Sequence, residues 1–234
     1  RNKLEDAFRQ FNFSDKTKLK DKKKFAKEIL KKNQKIKTIL EKSGKFSGRL
    51  RKMKTKYLAG EKNKEVLYKE NNCIFRFNIN TTYFSPRLSN ERKEIASLIR
   101  RNDAVLVMFA GVGPYSICIA KNSKAKVYSN EINREANKYA ELNIKLNKVK
   151  DKIKLIPGDI KKIAKELEKK KQKFNVIVMP RPRLKESFLK QAFLLSKKGT
   201  KIFYYDFCKI EDKDKIIEKI RNEAIPAEEI NVLA

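Results

Sequence analysis

Runs of consecutive apolar residues alternate with amphipathic stretches in the second half of the chain. The apolar runs predict five strands, at 104–110, 126–129, 153–156, 176–179 and 202–207. Helical spacing of the apolar positions predicts six helices, near 89–101, 115–122, 133–147, 160–170, 184–197 and 211–223. Strands that are apolar throughout, each followed by a helix, are typical of a parallel sheet covered on both faces. We therefore predict an α/β, Rossmann-like domain over residues 86–234.

The first 85 residues follow a different pattern. Apolar residues first recur at helical spacing among lysines, which predicts helix around Phe25, Ile29, Leu30, Ile36, Ile39 and Leu40. From residue 48 to 84 the pattern changes to short β segments, at 65–68 and 73–77, with Gly60 and Asn71 at the breaks between them. We predict a smaller α+β domain over residues 1–85.

Charge is distributed unevenly along the chain. Its 234 residues contain 59 Lys and Arg against 28 Asp and Glu, a formal charge of +31, and residues 1–85 alone hold 25 against 9. An A+T-rich genome or a hot habitat also raises Lys, but usually raises Glu with it. Because Glu does not keep pace here, we favour a nucleic-acid partner docked on the first 85 residues. A membrane partner is less favoured, since no apolar run approaches the roughly 20 residues of a spanning helix and no signal peptide is evident.

The cysteine and histidine counts exclude several kinds of site. The three cysteines have no CxxC spacing, which argues against a disulfide framework and a zinc site and favours a reducing cytoplasm. Histidine is absent, so a histidine triad, an imidazole proton shuttle and a histidine metal ligand are excluded. We expect no metal. The chemistry must use carboxylates, Arg, Tyr or a cofactor.

Three sites at the ends of consecutive predicted strands indicate a nucleotide-type cofactor. The first strand runs into a Gly-x-Gly turn with Gly111 and Gly113, where the backbone can approach a ligand and a helix N-terminus follows. Glu131 ends the next strand, where an acidic side chain accepts hydrogen bonds from ribose hydroxyls. Asp159 follows the third strand and could contact an adenine edge, cap a helix, or do both. These positions predict one shared crevice.

Longer strings of residues carry a family resemblance. They are Tyr-Phe-Ser-Pro-Arg-Leu-Ser-Asn-Glu-Arg at 83–92, Met-Phe-Ala-Gly-Val-Gly-Pro-Tyr at 108–115 and Asn-Glu-Ile-Asn at 130–133. Together they closely resemble the tRNA guanosine-37 N1-methyltransferase family, which includes archaeal relatives in wyosine biosynthesis. The resemblance implies a class I methyltransferase fold, a monomer, a tRNA anticodon stem-loop as partner and S-adenosylmethionine as cofactor. The cofactor-binding residues that it implies are Phe109, Gly111, Gly113, Glu131, Ile132 and Asp159.

The same resemblance implies roles around the target base. Glu91 matches the proposed general base, although without the resemblance a surface ion pair with Arg87, four residues earlier, would be the simpler interpretation. Other catalytic candidates line the base pocket, namely Arg51, Tyr83 and Pro182. Substrate-binding candidates are Arg87, Arg92 and Arg181.

Two positions depart from the family pattern and leave the target atom open. Val107 stands where the family usually has Asp, and Pro180-Arg181-Pro182 stands where it commonly has Asn-Leu-Pro. Pro180 offers a base only its carbonyl, so we expect a changed target, with Arg181 and Arg183 stacking on a modified base or holding its phosphate. The candidates are N1 of guanosine, C7 of the tricyclic wyosine intermediate 4-demethylwyosine (imG2), or both.

Other functions remain open at this point. A non-catalytic RNA-binding protein with a degenerate fold would explain Val107 and Pro180. A small-molecule methyltransferase fits the fold but leaves the charge unexplained. Transfer of the aminocarboxypropyl group of the same cofactor, as in a third relative, ranks lowest.

Overall fold

A computed structural model describes residues 8–11, 13–14, 16–34, 36–44, 48, 50–181, 186–206 and 210–224. Its strands are β1 (Phe8–Phe11), β2 (Thr38–Lys42), β3 (Thr55–Gly60), β4 (Glu65–Glu70), β5 (Cys73–Asn78), β6 (Ala104–Val107), β7 (Lys126–Glu131), β8 (Ile153–Pro157), β9 (Phe174–Met179) and β10 (Ser196–Tyr204). Its helices are α1 (Leu19–Lys32), α2 (Ser89–Leu98), α3 (Pro114–Ser123), α4 (Arg134–Leu146), α5 (Ile160–Lys169), α6 (Leu189–Leu194) and α7 (Lys213–Glu223), with 3-10 turns at Pro86–Leu88 and Ile210–Asp212.

The predicted parallel sheet is confirmed. Five strands run in the order β10-β9-β6-β7-β8, and every pair between neighbours is parallel. Along β6, Val105 and Val107 enter the core on one face, while Leu106 belongs to the core on the other. This burial on both faces explains why the strand is apolar throughout. The strand order reverses between β6 and β9, which places a ligand crevice at the carboxyl end of β6.

A second, three-stranded sheet lies in the basic part of the chain. The strands pair in the order β1-β2-β3, with β1 parallel and β3 antiparallel to β2, and α1 packs against this sheet. The prediction of helix through Ile36, Ile39 and Leu40 was wrong, because α1 ends at Lys32 and the last two residues lie on β2. Strand β2 is buried from Thr38 to Glu41, as a central strand covered by a helix must be.

The β segments predicted at 65–68 and 73–77 are confirmed as strands β4 and β5, which pair as an antiparallel hairpin. Its buried side chains, Tyr68, Cys73, Phe75 and Phe77, belong to the same core cluster as β6 and α3. The hairpin therefore supports the large sheet, although it precedes residue 86 in the chain. The division of the chain into domains at residues 85 and 86 stays a prediction.

Some element boundaries differ from the predicted ones. Strand β6 ends at Val107, three residues before the predicted end, because the chain turns at Phe109 with a φ of 57°. Strand β10 begins at Ser196, where a helix was predicted, and it pairs with β9 across a register shift. Helix α6 begins only at Leu189, since Phe188 before it has a φ of 61°.

The described part of the chain contains neither a candidate membrane span nor a candidate metal site. Within it, no helix combines the length and apolar character needed to cross a bilayer. The same residues contain no group of three or more carboxylate or thiol side chains arranged to hold a metal ion.

Candidate active site

A tight turn connects β6 to α3 at the strand-order reversal. Its backbone is left-handed at three positions, with φ of 57° at Phe109, 57° at Gly111 and 87° at Gly113. A β-carbon on Gly113 would lie 3.3 Å from the Ile117 side chain, so glycine suits both the conformation and the space. Pro114 then begins α3 with the φ that a first helical residue needs. The turn thus presents a helix N-terminus to the crevice.

The Glu131 carboxylate, at the end of β7, holds this turn. One oxygen accepts the Gly111 N–H at 2.8 Å and the other accepts the Asn133 N–H at 2.8 Å. Burial raises the pKa of Glu131, and the backbone N–H groups of Asn133, Gly111 and Ile132 oppose that rise only in part. Each carboxylate oxygen can accept more than one hydrogen bond, so the group can still accept from ribose hydroxyls.

The segment after β8 is hydrogen-bonded to the end of β7. The Gly158 N–H, just beyond β8, donates to the Glu131 carbonyl at 2.9 Å. Asp159 caps α5, because its side chain accepts the Lys161 N–H at 3.0 Å, and this was one of its two predicted roles. Ile132 is partly buried beside Glu131. The predicted cofactor residues therefore lie on adjoining strand ends along one edge of the sheet.

Two base-pocket candidates contact each other. The guanidinium carbon of Arg51 lies 5.0 Å from the centre of the Tyr83 ring, a cation–π distance. Tyr83 is 38% exposed, so its ring remains available for stacking. Arg87 is exposed on the adjoining 3-10 turn, as a group that binds phosphate should be. Pro182 and Arg183 lie outside the described residues.

Glu91 is close to the partly buried Tyr205, which packs against the buried Tyr115, and neither tyrosine was predicted as a site residue. Glu91 is partly buried in the first turn of α2. The rings of Tyr115 and Tyr205 are 6.1 Å apart, and their buried hydroxyls find no partner with hydrogen-bond geometry among the described residues. Burial raises the pKa of both phenols. The interaction of Tyr205 with Glu91 raises the Tyr205 pKa further, whereas the interaction with Tyr205 opposes the rise of the Tyr115 pKa. Tyr205 thus lies next to the Glu91 carboxylate, and Tyr115 packs against Tyr205. The position of Tyr115 directly after Gly113 and Pro114 was the available sequence signal.

The structure contradicts the prediction that Arg92 binds substrate. Its side chain is 1% exposed and makes a two-point ion pair with Glu70, with Nε–Oε1 at 2.5 Å and Nη2–Oε2 at 2.8 Å. Nη2 also donates to the Ser85 carbonyl at 2.9 Å. The guanidinium carbon lies 5.1 Å from the Phe84 ring and 5.7 Å from the Tyr115 ring. With all these partners inside the protein, Arg92 fixes the segment before α2 and cannot reach RNA.

Arg181 is also turned inward, which contradicts its predicted stacking on a base. It is 4% exposed and pairs with Asp206 at 2.6 Å between Nη2 and Oδ1. It donates to the carbonyls of Glu186 at 2.7 Å and Tyr205 at 3.2 Å, and it lies 5.2 Å from the Tyr204 ring. Arg181 therefore ties the segment after β9 to the end of β10, next to Tyr205.

The two departures from the family pattern have different surroundings. Val107 is fully buried in the core beside the sheet, where an apolar side chain needs no polar partner. Pro180 is partly exposed directly after β9, at the same sheet edge as the turn. Of the two positions, Pro180 is therefore the one that is accessible at the edge of the sheet.

The sheet order, the Gly-x-Gly turn and the acidic residue at the end of β7 define a class I methyltransferase fold. The chain belongs to the TRM5/TYW2 methyltransferase domain family, whose model matches residues 66–233. The tRNA (guanine(37)-N(1))/4-demethylwyosine(37)-methyltransferase Taw22 of Nanoarchaeum equitans is 47% identical over 126 residues, 54% of this chain and 42% of that protein. Trm5b of Pyrococcus abyssi, a tRNA (guanine(37)-N(1))-methyltransferase, is 34% identical over 79% of this chain and 53% of its own length.

Solved structures agree with this assignment. The crystal structure of Trm5b from Pyrococcus abyssi matches with a TM-score of 0.83 and 30% identity, over 100% of this chain and 68% of that one. The complex of aTrm5 with tRNALeu matches with a TM-score of 0.81 and 31% identity, over 94% of this chain and 63% of that one. The chain spans only about a third to a half of the first curated relatives, with shares from 35% to 53%.

Proposed function

We propose that this chain is an S-adenosylmethionine-dependent tRNA methyltransferase that acts on the purine at position 37, 3′ of the anticodon. The observation that carries the proposal is the Gly111–Glu131 contact, which joins a Gly-x-Gly turn to a ribose-binding type of carboxylate at the strand-order reversal. The family membership and the charge of +31 support an RNA substrate. A non-catalytic RNA-binding protein leaves the cofactor crevice unexplained, and a small-molecule methyltransferase leaves the basic surface unexplained.

The residues of the crevice fit S-adenosylmethionine. Glu131 would accept the ribose hydroxyls, Asp159 would meet the adenine edge, and the turn at Gly111 and Gly113 would approach the cofactor closely. Phe109 and Ile132 would contact its apolar surfaces. When bound, the cofactor supplies a methyl group from its sulfonium. Two relatives of the same fold, TYW2 of Methanocaldococcus jannaschii and of Pyrococcus horikoshii, were solved with AdoMet and with MeSAdo.

The protein's own groups would handle the base and its proton. Arg51 and Tyr83 would hold the flipped base, Arg87 would contact the RNA backbone, and Pro182 would lie against the base. Methylation of a ring N–H or C–H position requires removal of one proton, and Glu91 would accept it. The buried hydroxyl of Tyr205 would orient Glu91, and Tyr115 would support Tyr205. This role for the tyrosines rests on their burial and proximity.

The target atom would be N1 of guanosine, C7 of imG2, or both. Pro180 cannot give the two-way amide contact that an Asn gives to a base edge, which favours a changed or broadened target. The Taw22 relative is named for both substrates, and it is 47% identical to this chain over the matched region. Transfer of the aminocarboxypropyl group remains the least favoured chemistry. We further propose a place in archaeal wyosine synthesis, a cytoplasmic location and a monomeric enzyme.

The basic region of residues 1–85 would bind the anticodon stem-loop. Exposed lysines outnumber exposed acids on α1 and the residues just before it, with Lys16, Lys18, Lys20, Lys23, Lys24, Lys27, Lys31 and Lys32 against Asp21 and Glu28. Binding of phosphates by such lysines releases counterions, so tRNA affinity should fall steeply with salt. The sequence-independent part of the affinity would come from this surface.

Release of S-adenosylhomocysteine distinguishes a methyltransferase from a non-catalytic RNA-binding protein. The chain is incubated with S-adenosylmethionine and an unmodified tRNA transcript that carries guanosine 37, with an adenosine-37 transcript as the control. We expect release that depends on tRNA and is much faster with guanosine 37. Tight tRNA binding without cofactor binding or release would favour a degenerate RNA-binding protein instead.

Cofactor affinity should depend on pH through Glu131. Its pKa is raised in the folded protein. As pH falls through that pKa the carboxylate gains a proton and accepts fewer hydrogen bonds, so the dissociation constant for S-adenosylmethionine should rise at acid pH. Glu131→Gln should weaken binding by about tenfold to a hundredfold at neutral pH, the effect of hydrogen bonds to a charged group. It should also flatten the pH dependence, measured by calorimetry from pH 8 to 5. A wild-type affinity that does not change with pH would contradict this role.

A further inference from the structure

Helix α4 contacts the open edge of the β4–β5 hairpin through two asparagine side chains. Asn143 accepts the Arg76 N–H at 2.7 Å and donates to the Arg76 carbonyl at 3.0 Å. Asn147 does the same with Ile74, at 2.8 Å and 2.6 Å. Four residues of helix rise roughly 6 Å and two residues of strand roughly 6.6 Å, so the spacings match. The two amides therefore satisfy backbone groups as a neighbouring strand would.

The two asparagines differ in one further contact. The Asn143 amide nitrogen also donates to the Val112 carbonyl at 3.0 Å, inside the Gly-x-Gly turn. The Asn147 amide nitrogen instead donates to the backbone carbonyl of Asn143 at 2.8 Å. Asn143 is 0% exposed and Asn147 is 5% exposed, so both amides are removed from water. Only Asn143 links the hairpin to the cofactor turn.

This contact completes the support of the turn. The peptide group between Val112 and Gly113 has its N–H bonded to the Ala110 carbonyl at 3.0 Å and its C=O bonded to Asn143. The neighbouring Gly111 N–H is bonded to Glu131. Glycines at positive φ are conformationally permissive, so without such partners the turn would sample other backbone states. A turn fixed before the ligand arrives binds it with a smaller entropic cost.

We propose that Asn143 is a positioning residue that holds the Gly111–Gly113 turn in the conformation that binds S-adenosylmethionine. The inference rests on the proposed cofactor. Asn143 connects the β4–β5 hairpin directly to the Gly111–Gly113 turn. Asn147 has a structural role at the same edge and no part in holding the turn.

A matched pair of variants separates the two roles. Asn143→Asp and Asn147→Asp keep the size of the side chain and an acceptor for the strand N–H. Each replaces the donating amide with an oxygen that repels the carbonyls, and each places an acid in a buried site. Only Asn143→Asp also loses the bond to Val112. Both variants should melt at a lower temperature than the wild type, because both weaken the hairpin edge.

Isothermal titration calorimetry measures the dissociation constants for S-adenosylmethionine and for S-adenosylhomocysteine. The temperature is set below the melting temperatures of both variants. We expect Asn143→Asp to weaken binding at least about tenfold and Asn147→Asp to stay within about threefold of the wild type. If Asn143→Asp does not fold at that temperature, Asn143→Ser and Asn147→Ser are compared by the same criterion. Equal loss of affinity in both variants would overturn the role of Asn143. A wild type that binds neither ligand would overturn the proposed cofactor itself, which is a different result.

Discussion

Replacing Glu91 with glutamine should lower kcat for methyl transfer to tRNA by about a hundredfold to ten-thousandfold, the usual contribution of a positioned base. Glutamine keeps the size of the side chain but cannot accept the proton. The buried hydroxyl of Tyr205 remains next to it, so the pocket should keep its shape. Single-turnover kinetics with saturating S-adenosylmethionine and tRNA measure the effect on the chemical step.

A control on the same helix tests whether the effect is specific. Glu94 is exposed on α2, and Glu94→Gln should leave kcat within about threefold of the wild type. Dissociation constants for cofactor and tRNA should change little in either variant. If Glu91 served only as a surface ion-pair partner of Arg87, Glu91→Gln would also leave kcat nearly unchanged, and the assignment of the base would be wrong.

Replacing Arg92 with methionine should lower the free energy of unfolding by about 3–5 kcal/mol, the cost of breaking a buried ion pair. The change leaves the Glu70 carboxylate buried without its partner, because both side chains are 1% exposed. It also removes the donor to the Ser85 carbonyl and the cation–π contacts with Phe84 and Tyr115. Chemical denaturation followed by circular dichroism measures the loss.

A double variant identifies the cause of that loss. Arg92→Met combined with Glu70→Leu removes both charges and should recover most of the stability, since an apolar pair can replace a buried ion pair. If the single and double variants were equally unstable, packing rather than the unpaired carboxylate would be responsible. A single variant as stable as the wild type would contradict the buried ion pair.

The large sheet was predictable because its physical cause is local in the sequence. Strands such as β6 and β9 are buried on both faces, and that burial leaves apolar runs that can be read directly. Strand β2 was missed for a related reason. Ile39 and Leu40 continue the apolar spacing of α1, and only the pairing of β2 with β1 and β3 makes them a strand. Such pairing depends on residues distant in the chain.

The assignment of Gly111, Gly113 and Glu131 to the cofactor stays a prediction, whereas two arginines were misassigned. Gly111, Gly113 and Glu131 have fixed positions relative to strand ends, and those positions survive in the structure. Arg92 and Arg181 pair with acids 22 and 25 residues away, so charge alone did not reveal their burial.

The sequence patterns of α2 and α4 indicated buried polar side chains, which the distribution of charge did not. Arg92 shares the buried face of α2 with Ser89, Ile95 and Ala96, and an arginine on an apolar helix face indicates an internal partner. Asn143 and Asn147 are four residues apart on a buried face of α4. Buried amides must find partners, but their link to Val112 and the hairpin depends on the tertiary fold.

The most direct test of the proposed methyl transfer to position 37 uses labelled S-adenosylmethionine and two tRNAs. One carries unmodified guanosine 37 and the other carries imG2, and the products are digested and identified as nucleosides by mass spectrometry. We expect label in the nucleoside at position 37 of at least one tRNA. Product from imG2 alone would assign C7 as the target and connect it with Pro180, and product from guanosine would assign N1. If the chain binds both tRNAs but transfers label to neither, the proposed methyl transfer to position 37 is wrong.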